Sequence, residues 1–555
     1  MPDIVNAGMA LSAMRYAPYS TPSALAELID NSIQAKAENI SLVAKDKFYE
    51  TASGQTRSKL DELAIFDDGN GMDKETIESA LAVGFSRNKD DPDGIGKFGF
   101  GMTVGSVSQC YRVEVYSWQN GGPIYHTYID LKDLLDTGSQ TIPDIVEVSE
   151  VPLIDGLNDT EGLIKKDSGT LVRWMDLDFR KVQYSTSRGI YTYLSSELGR
   201  IYRHFLDDDN DYGNKRNIRI ISLSAEGEPI SNESILANDP LYILTPNTLP
   251  PCNGEQYKEK QTNVLLDDQV HNLPISYLDK NDEEKVSIVE IRATVAKPEI
   301  RSVLGGASSV GKHYSKNLGV SFVRAGREII LDTKGWINSY DPRERWWGIE
   351  IRFEPCLDEI FGVTNDKQFI NNIKRTDKNF TPDAYYLGAD DDYSIKGNIA
   401  INELVQPLIR ALREIVKASP VNRGGGGSGA SGTTESRVNT RVSQDGSDTI
   451  SETVARERSR EEKVDQLAQV LMDNDPTLEE NNARAQAEER IDRIVDFQKT
   501  SWPGSMFLER ENMANGVHAQ LNIRSAFYKH FYEYLENMDD AKPSEAVKII
   551  LMAYI

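Results

Sequence analysis

Apolar residues recur at helical spacing through STPSALAELIDNSIQAKAENI, where Leu25, Leu28, Ile29 and Ile33 make one face. Thr21 followed by Pro22 supplies an N-cap and a first-turn proline, so a helix is expected to start there. A second side of that helix is polar: Glu27, Asp30, Asn31 and Gln34 stand at i, i+3, i+4 and i+7. Strand patterns follow. Leu63 to Phe66 lead into Asp67-Asp68-Gly69-Asn70-Gly71-Met72, and YRVEVYS, NIRIISL, VSIVEIRATVA and GVSFVRAGREIIL read as further strands. From NRGGGGSGASG onward periodicity stops, as in a flexible linker. Beyond it Val464, Leu467, Ala468 and Leu471, then Ile491, Ile494 and Val495, then Phe527, Phe531 and Leu535 suggest helices. These patterns divide the chain into mixed α/β sequence over 1–182 and 183–418, a linker over 419–448 and a helical region over 449–555. In AFYKHFYEYL the aromatic residues fit a helical core face better than a base-stacking platform.

Composition narrows the class. The chain has 555 residues, 39% hydrophobic and 27% charged, the balance of an ordinary globular protein. No apolar run approaches the roughly 18 residues of a membrane span. The start lacks the basic flank and apolar run of a secretory leader, and a cytoplasmic location is expected. Cys110, Cys252 and Cys356 are scattered and show no zinc or disulfide spacing. The six histidines show no metal spacing and read as structural. A net charge of −25 opposes nonspecific attraction to nucleic acid but leaves room for a local basic groove.

Three stretches carry candidate chemistry. The polar stripe has two readings, a solvated face or a site in which Asn31 coordinates magnesium while Glu27 polarises a water. The Asp67 turn likewise has two. It is an ordinary turn, or a carboxylate at a strand end that accepts a hydrogen bond from an exocyclic amine such as that of adenine. The third stretch, DGIGKFGFGM, contains G-x-G-x-x-G at Gly94, Gly96 and Gly99. A dinucleotide turn must follow a buried strand, yet this one follows the polar, proline-broken SRNKDDPD. A kinase loop needs downstream H-R-D and D-F-G segments, which the chain lacks.

In order and spacing, ELIDNS (27–32), DDGNGM (67–72), GIGKFGFGM (94–102) and SGT (168–170) resemble the four ATP-binding motifs of the GHKL ATPases. That group includes gyrase B, the heat-shock chaperone ATPase, histidine kinases and MutL, and the wording here is most like the microrchidia branch. The resemblance implies an N-terminal Bergerat-fold α/β sandwich, an S5-like α/β transducer domain, and an all-α C-terminal region after the linker. It implies ATP and Mg2+ as ligands, with Glu27 the general base and Asn31 the magnesium ligand. Asp67 would meet the adenine amine, with Thr170 as second contact. Gly69, Gly71 and Met72 would form the turn under the base. Residues 84–101, including Gly94, Gly96, Lys97, Phe98, Gly99, Phe100 and Gly101, would be a mobile lid over the phosphates. In the transducer, TNDKQ puts Lys367 against the γ-phosphate with Gln368 beside it; a surface lysine is the competing reading.

Departures from the family sharpen the expectation. Glu27 is present and no histidine precedes His126, which disfavours a histidine kinase. No MutL-type endonuclease motif occurs in the tail. The resemblance thus implies a slow ATPase that dimerises on ATP binding and clamps DNA, in the setting of genome or antiviral defence. The alternative is a chaperone-like or scaffold ATPase that engages protein partners through the C-terminal helices.

Overall fold

The computed structural model describes residues 6–50, 56–84, 101–153, 167–182, 186–208, 211–303, 306, 308–333, 335–338, 341–376 and 393–418, with 495–500, 508–513, 516–523 and a few single positions beyond. Residues 1–422 form one compact unit and 423–555 another.

The first unit begins with helices α1 (Ala7–Met14) and α2 (Thr21–Gln34). Strands β1 (Asn39–Glu50) and β2 (Thr56–Asp67) lead to α3 (Lys74–Ala80) and α4 (Gly101–Gln109). Then come β3 (Cys110–Trp118), β4 (Ile124–Asp130), α5 (Leu131–Thr137), β5 (Val146–Val148) and β6 (Gly169–Leu177). Helices α6 (Ile190–Ile201) and α7 (Arg203–Leu206) precede β7 (Asn217–Leu223) and β8 (Pro229–Ser234). These strands form one sheet in the order β5-β4-β3-β6-β2-β1-β7-β8. The sheet runs on past residue 182, where the sequence pattern ends the first domain, because β7 pairs in parallel with β1. Ile40, Leu42, Val43 and Ala44 of β1 are all buried, as expected for a central strand covered on both faces.

A second sheet follows, from β9 (Asn263–Leu278), β10 (Glu284–Ala296), β11 (Val320–Arg324), β12 (Arg327–Asp332) and β13 (Trp347–Phe353). Its order is β12-β11-β13-β10-β9. Helices α8 (Pro298–Val303), α9 (Ser309–Lys316) and α10 (Asp358–Phe361) lie between and after its strands. The long helix α11 (Tyr393–Ala418) buries Ile401, Val405, Ile409, Leu412 and Val416, spaced three or four residues apart, in the core of this sheet. Among the described residues no helix is long and apolar enough to cross a membrane.

Helix α7 is joined to the second sheet by buried charge. Arg203 donates to Glu328 at 2.8 Å and also binds Glu350, and His204 meets Glu350 at 2.9 Å. Arg203 is fully buried, so three paired ions have left water together, a geometry that survives only when every partner is present.

The C-terminal unit corrects one expectation. Where an all-α region is predicted, β14 (Val495–Thr500), β15 (Leu508–Met513) and β16 (Gly516–Asn522) form a sheet in the order β14-β16-β15. Ile491, Ile494 and Val495 match a helical stripe in one window. Strand pairing between β14 and β16 is non-local, so no window centred on 495 can register it.

Candidate functional site

Helix α2 is the base of the site. Its N-cap is Ser20, not Thr21, and Ser20 and Ser23 complete a capping box. Thr21 instead donates its hydroxyl to Gln109 of α4 at 2.9 Å. The polar stripe faces inward: Glu27 is 3% exposed and Asp30 0%, which rules out a solvated face. Asn31 is half-buried one turn beyond Glu27. Helix α4 starts hard against this surface, and a Cβ on Gly101 would fall 2.1 Å from Glu27 Oε2. A larger residue there would have to displace the Glu27 carboxylate.

Two buried carboxylates three residues apart need counter-charge, and it arrives from β12 and from the turn after α10. Lys367 Nζ donates to Asp30 Oδ2 at 2.8 Å and to Glu27 Oε2 at 3.3 Å. Arg327 Nε donates to Asp30 Oδ1 at 3.0 Å, and its Nη2 lies 3.8 Å from Glu27 Oε1. The Tyr202 hydroxyl donates to Asp30 Oδ1 at 2.8 Å and lies 2.7 Å from the Ala26 carbonyl. The two acids end up different. Burial pushes the Glu27 carboxyl up, with Lys367 offsetting part of that and Asp30 adding to it. Burial acts on Asp30 in the same sense, but Arg327 and Lys367 outweigh it and hold this carboxyl below the usual carboxylate range. Glu27 Oε1 makes no hydrogen bond although it is buried. A raised carboxyl with one oxygen unspoken for suits an acceptor of a proton from water.

At the other end of the site, β2 delivers Asp67 opposite Thr170 of β6, a directly paired position. Asp67 accepts from Ser32 Oγ at 2.8 Å and from the Gly69 N–H at 2.9 Å. A carboxylate offers about four lone-pair positions, so acceptor capacity remains for an amine. Burial raises this carboxyl to about 6, against the Gly69 and Ser32 hydrogen bonds. The Thr170 and Ser117 hydroxyls lie 2.9 Å apart, and Ser117 accepts the Met72 N–H at 2.8 Å. The glycines of the turn serve the protein's own packing. Gly71 has φ +66° and a Cβ there would lie 1.9 Å from the Trp118 carbonyl, while one on Gly69 would lie 2.9 Å from Ala35.

Lys367 reaches the site from the turn after α10. It has φ +50°, is buried, and its N–H donates to the Thr364 carbonyl at 2.9 Å. The surface reading of this lysine is therefore excluded. Gln368 is half-buried beside it, its amide donating to Asp366 at 3.1 Å. Arg327, Lys367 and Gln368 also line a cleft of about 190 Å3 with Ser20, Pro22 and Arg200. That is below the ~300 Å3 at which small-molecule sites begin. Gly94, Gly96, Lys97, Phe98, Gly99 and Phe100 lie outside the described residues.

The structure thus brings Glu27 and Lys367 together, and Asp67 with Thr170 and Met72 close by in the sheet. The sequence reading passed over Asp30 as a site residue, and with it Arg327 and Tyr202. The available signal was an acidic stripe with no basic residue at helical spacing, which requires cations from elsewhere in the chain.

Residues 19–170 match the sequence model of the "Histidine kinase-, DNA gyrase B-, and HSP90-like ATPase" family. That segment carries Glu27, Asn31, Asp67 and Thr170. Over 94 residues the chain is 33% identical to Protein MICRORCHIDIA 6 of Arabidopsis thaliana, a match covering 17% of this chain and 13% of that relative. A solved structure, the N-terminal domain of a DNA repair protein, aligns with 72% of this chain and 95% of its own at 13% identity and a TM-score of 0.37.

Proposed function

We propose that the protein is a magnesium-dependent ATPase that works as a conformational switch. The observation that carries this reading is Lys367, borne by the second-sheet lobe and yet 3.3 Å from Glu27 of the ATPase domain. Asp67 and Thr170 would hold the adenine, and Glu27 would take the proton from the attacking water. Asn31 fits a magnesium site: its carboxamide is a hard oxygen donor, and magnesium takes few protein ligands beside phosphate oxygens. The ion's contribution would be to neutralise phosphate charge. Lys367 would exchange its carboxylate partners for the γ-phosphate, and the segment 84–101 would close over the nucleotide. A ligand can drive such closure only through its higher affinity for the closed form.

Replacing Glu27 with Ala tests the chemistry. Turnover should fall by roughly 100-fold or more, the usual worth of a general base, with ATP affinity kept within a few-fold. Equal phosphate release by variant and parent removes Glu27 from the mechanism.

The finer reading is a homodimer that closes on ATP and clamps DNA in genome defence, for which the support is the local likeness to a microrchidia protein. Gel shifts at two salt concentrations, with and without a nonhydrolysable ATP analogue, check it. Nucleotide-gated binding that weakens with salt is expected. No binding even at low salt overturns the clamp and turns the account toward a protein partner.

A further inference from the structure

We infer that Arg327 is the positioning residue for Lys367: it ties the lysine's backbone and the Asp30 carboxylate into one closed ring and thereby sets where the ammonium group sits. The inference rests on the roles given above to Glu27 and Lys367. Arg327 Nη1 donates to the Lys367 carbonyl at 2.9 Å while its Nε donates to Asp30 at 3.0 Å. Asp30 in turn accepts from Lys367 Nζ at 2.8 Å, which closes the ring. All three side chains are buried.

The backbone gives the ring its purpose. Lys367 adopts φ +50°, a left-handed conformation that is strained for a non-glycine residue and persists only when neighbours impose it. The bond from Arg327 to its carbonyl is such a constraint. Arg327 is itself fixed by its turn. Ala325 and Gly326 join β11 to β12 with φ of +45° and +81°, the sign pattern of a two-residue type I′ hairpin, with Arg324 paired to Arg327. Arg324 is held by Asp358 through bonds of 2.6 and 2.8 Å, and a Cβ on Gly326 would strike the Tyr212 ring at 2.7 Å. The next residue, Glu328, pairs with Arg200 and Arg203, so the start of β12 is anchored to α6 and α7 as well. A planar guanidinium can serve a carbonyl and a carboxylate in fixed directions, whereas a lysine ammonium is a point charge that does not impose that geometry.

A double-mutant cycle on the full chain tests this. ATP turnover and KM are measured for the parent, Arg327→Lys, Lys367→Met and the combined variant. Arg327→Lys should lower kcat about tenfold with KM within about threefold, and should lower it no further in the Lys367→Met background. Parental kcat for Arg327→Lys overturns the inference. So does an equal fractional loss in both backgrounds, which is the signature of a structural role. Should Lys367→Met itself turn over at the parental rate, the role of Lys367 falls and this inference with it; a dead Lys367→Met beside a normal Arg327→Lys removes Arg327 alone. Tyr202→Phe, which deletes one hydroxyl from Asp30, guards against misfolding of the arginine variant. It should lower kcat about threefold, again only while Lys367 is present, and equal losses in both backgrounds count against the inference.

Discussion

Asp67 carries opposing demands. In the proposed role it accepts from a ligand amine, yet burial raises its carboxyl from 3.8 to about 6. A carboxyl raised on folding contributes stability in full below pH 3.8 and loses it as pH rises through about 6. At neutral pH the ionised group therefore costs the fold up to about 3 kcal/mol. Asp67→Asn should relieve this. Its Oδ1 can still accept the Gly69 N–H, and its amide can donate to Ser32 Oγ, whose own proton has the Leu28 carbonyl 3.2 Å away. Thermal melts without nucleotide should show the variant a few degrees above the parent at pH 7.5, the gap closing as pH falls toward 4. ATP binding should weaken at least tenfold, since the added amide presents a donor where an acceptor is needed. A variant that melts below the parent at pH 7.5, or binds ATP unchanged, contradicts this role. Glu27, Asn31, Asp67 and Lys367 stood out in the sequence as candidates because each sits in a short motif. Asp30 was visible but not understood. Its partners, Tyr202, Arg327 and Lys367, lie 172, 297 and 337 residues away, and no local pattern encodes such a meeting.

At the scale of elements, legibility followed locality. NIRIISL is β7 from end to end, and YRVEVYS lies wholly within β3. Helix α2 was predicted from its apolar face and Pro22, and it begins at Thr21, but Ser20 caps it because the Thr21 hydroxyl is committed to Gln109. GVSFVRAGREIIL read as one strand run and is two strands about Ala325–Gly326, a turn that places Arg327 beside Asp30. The tail shows the converse. Asn515-Gly516 is a hairpin signal, and β15 pairs with β16 in antiparallel register from Met513 and Gly516 outward. Apolar spacing alone favoured helices there, since three-residue and four-residue intervals recur by chance in β-branched sequence.

At the scale of the whole molecule, Arg327 of the second sheet and Lys367 of the turn after α10 meet Glu27 and Asp30 of α2, while Asp67 and Thr170 are paired in the first sheet. The ions around Arg203 tie α7 to β12 and β13 of the second sheet. The central claim is that nucleotide is sensed through Lys367 and passed on as closure of the chain upon a second copy. The most direct measurement is the solution mass of the parent and of Lys367→Met, each with and without a nonhydrolysable ATP analogue at saturating concentration. The account predicts that the parent doubles in mass with nucleotide, while Lys367→Met binds the nucleotide and stays at 62.1 kDa. A parent whose mass ignores nucleotide, or a Lys367→Met that doubles as the parent does, would contradict it.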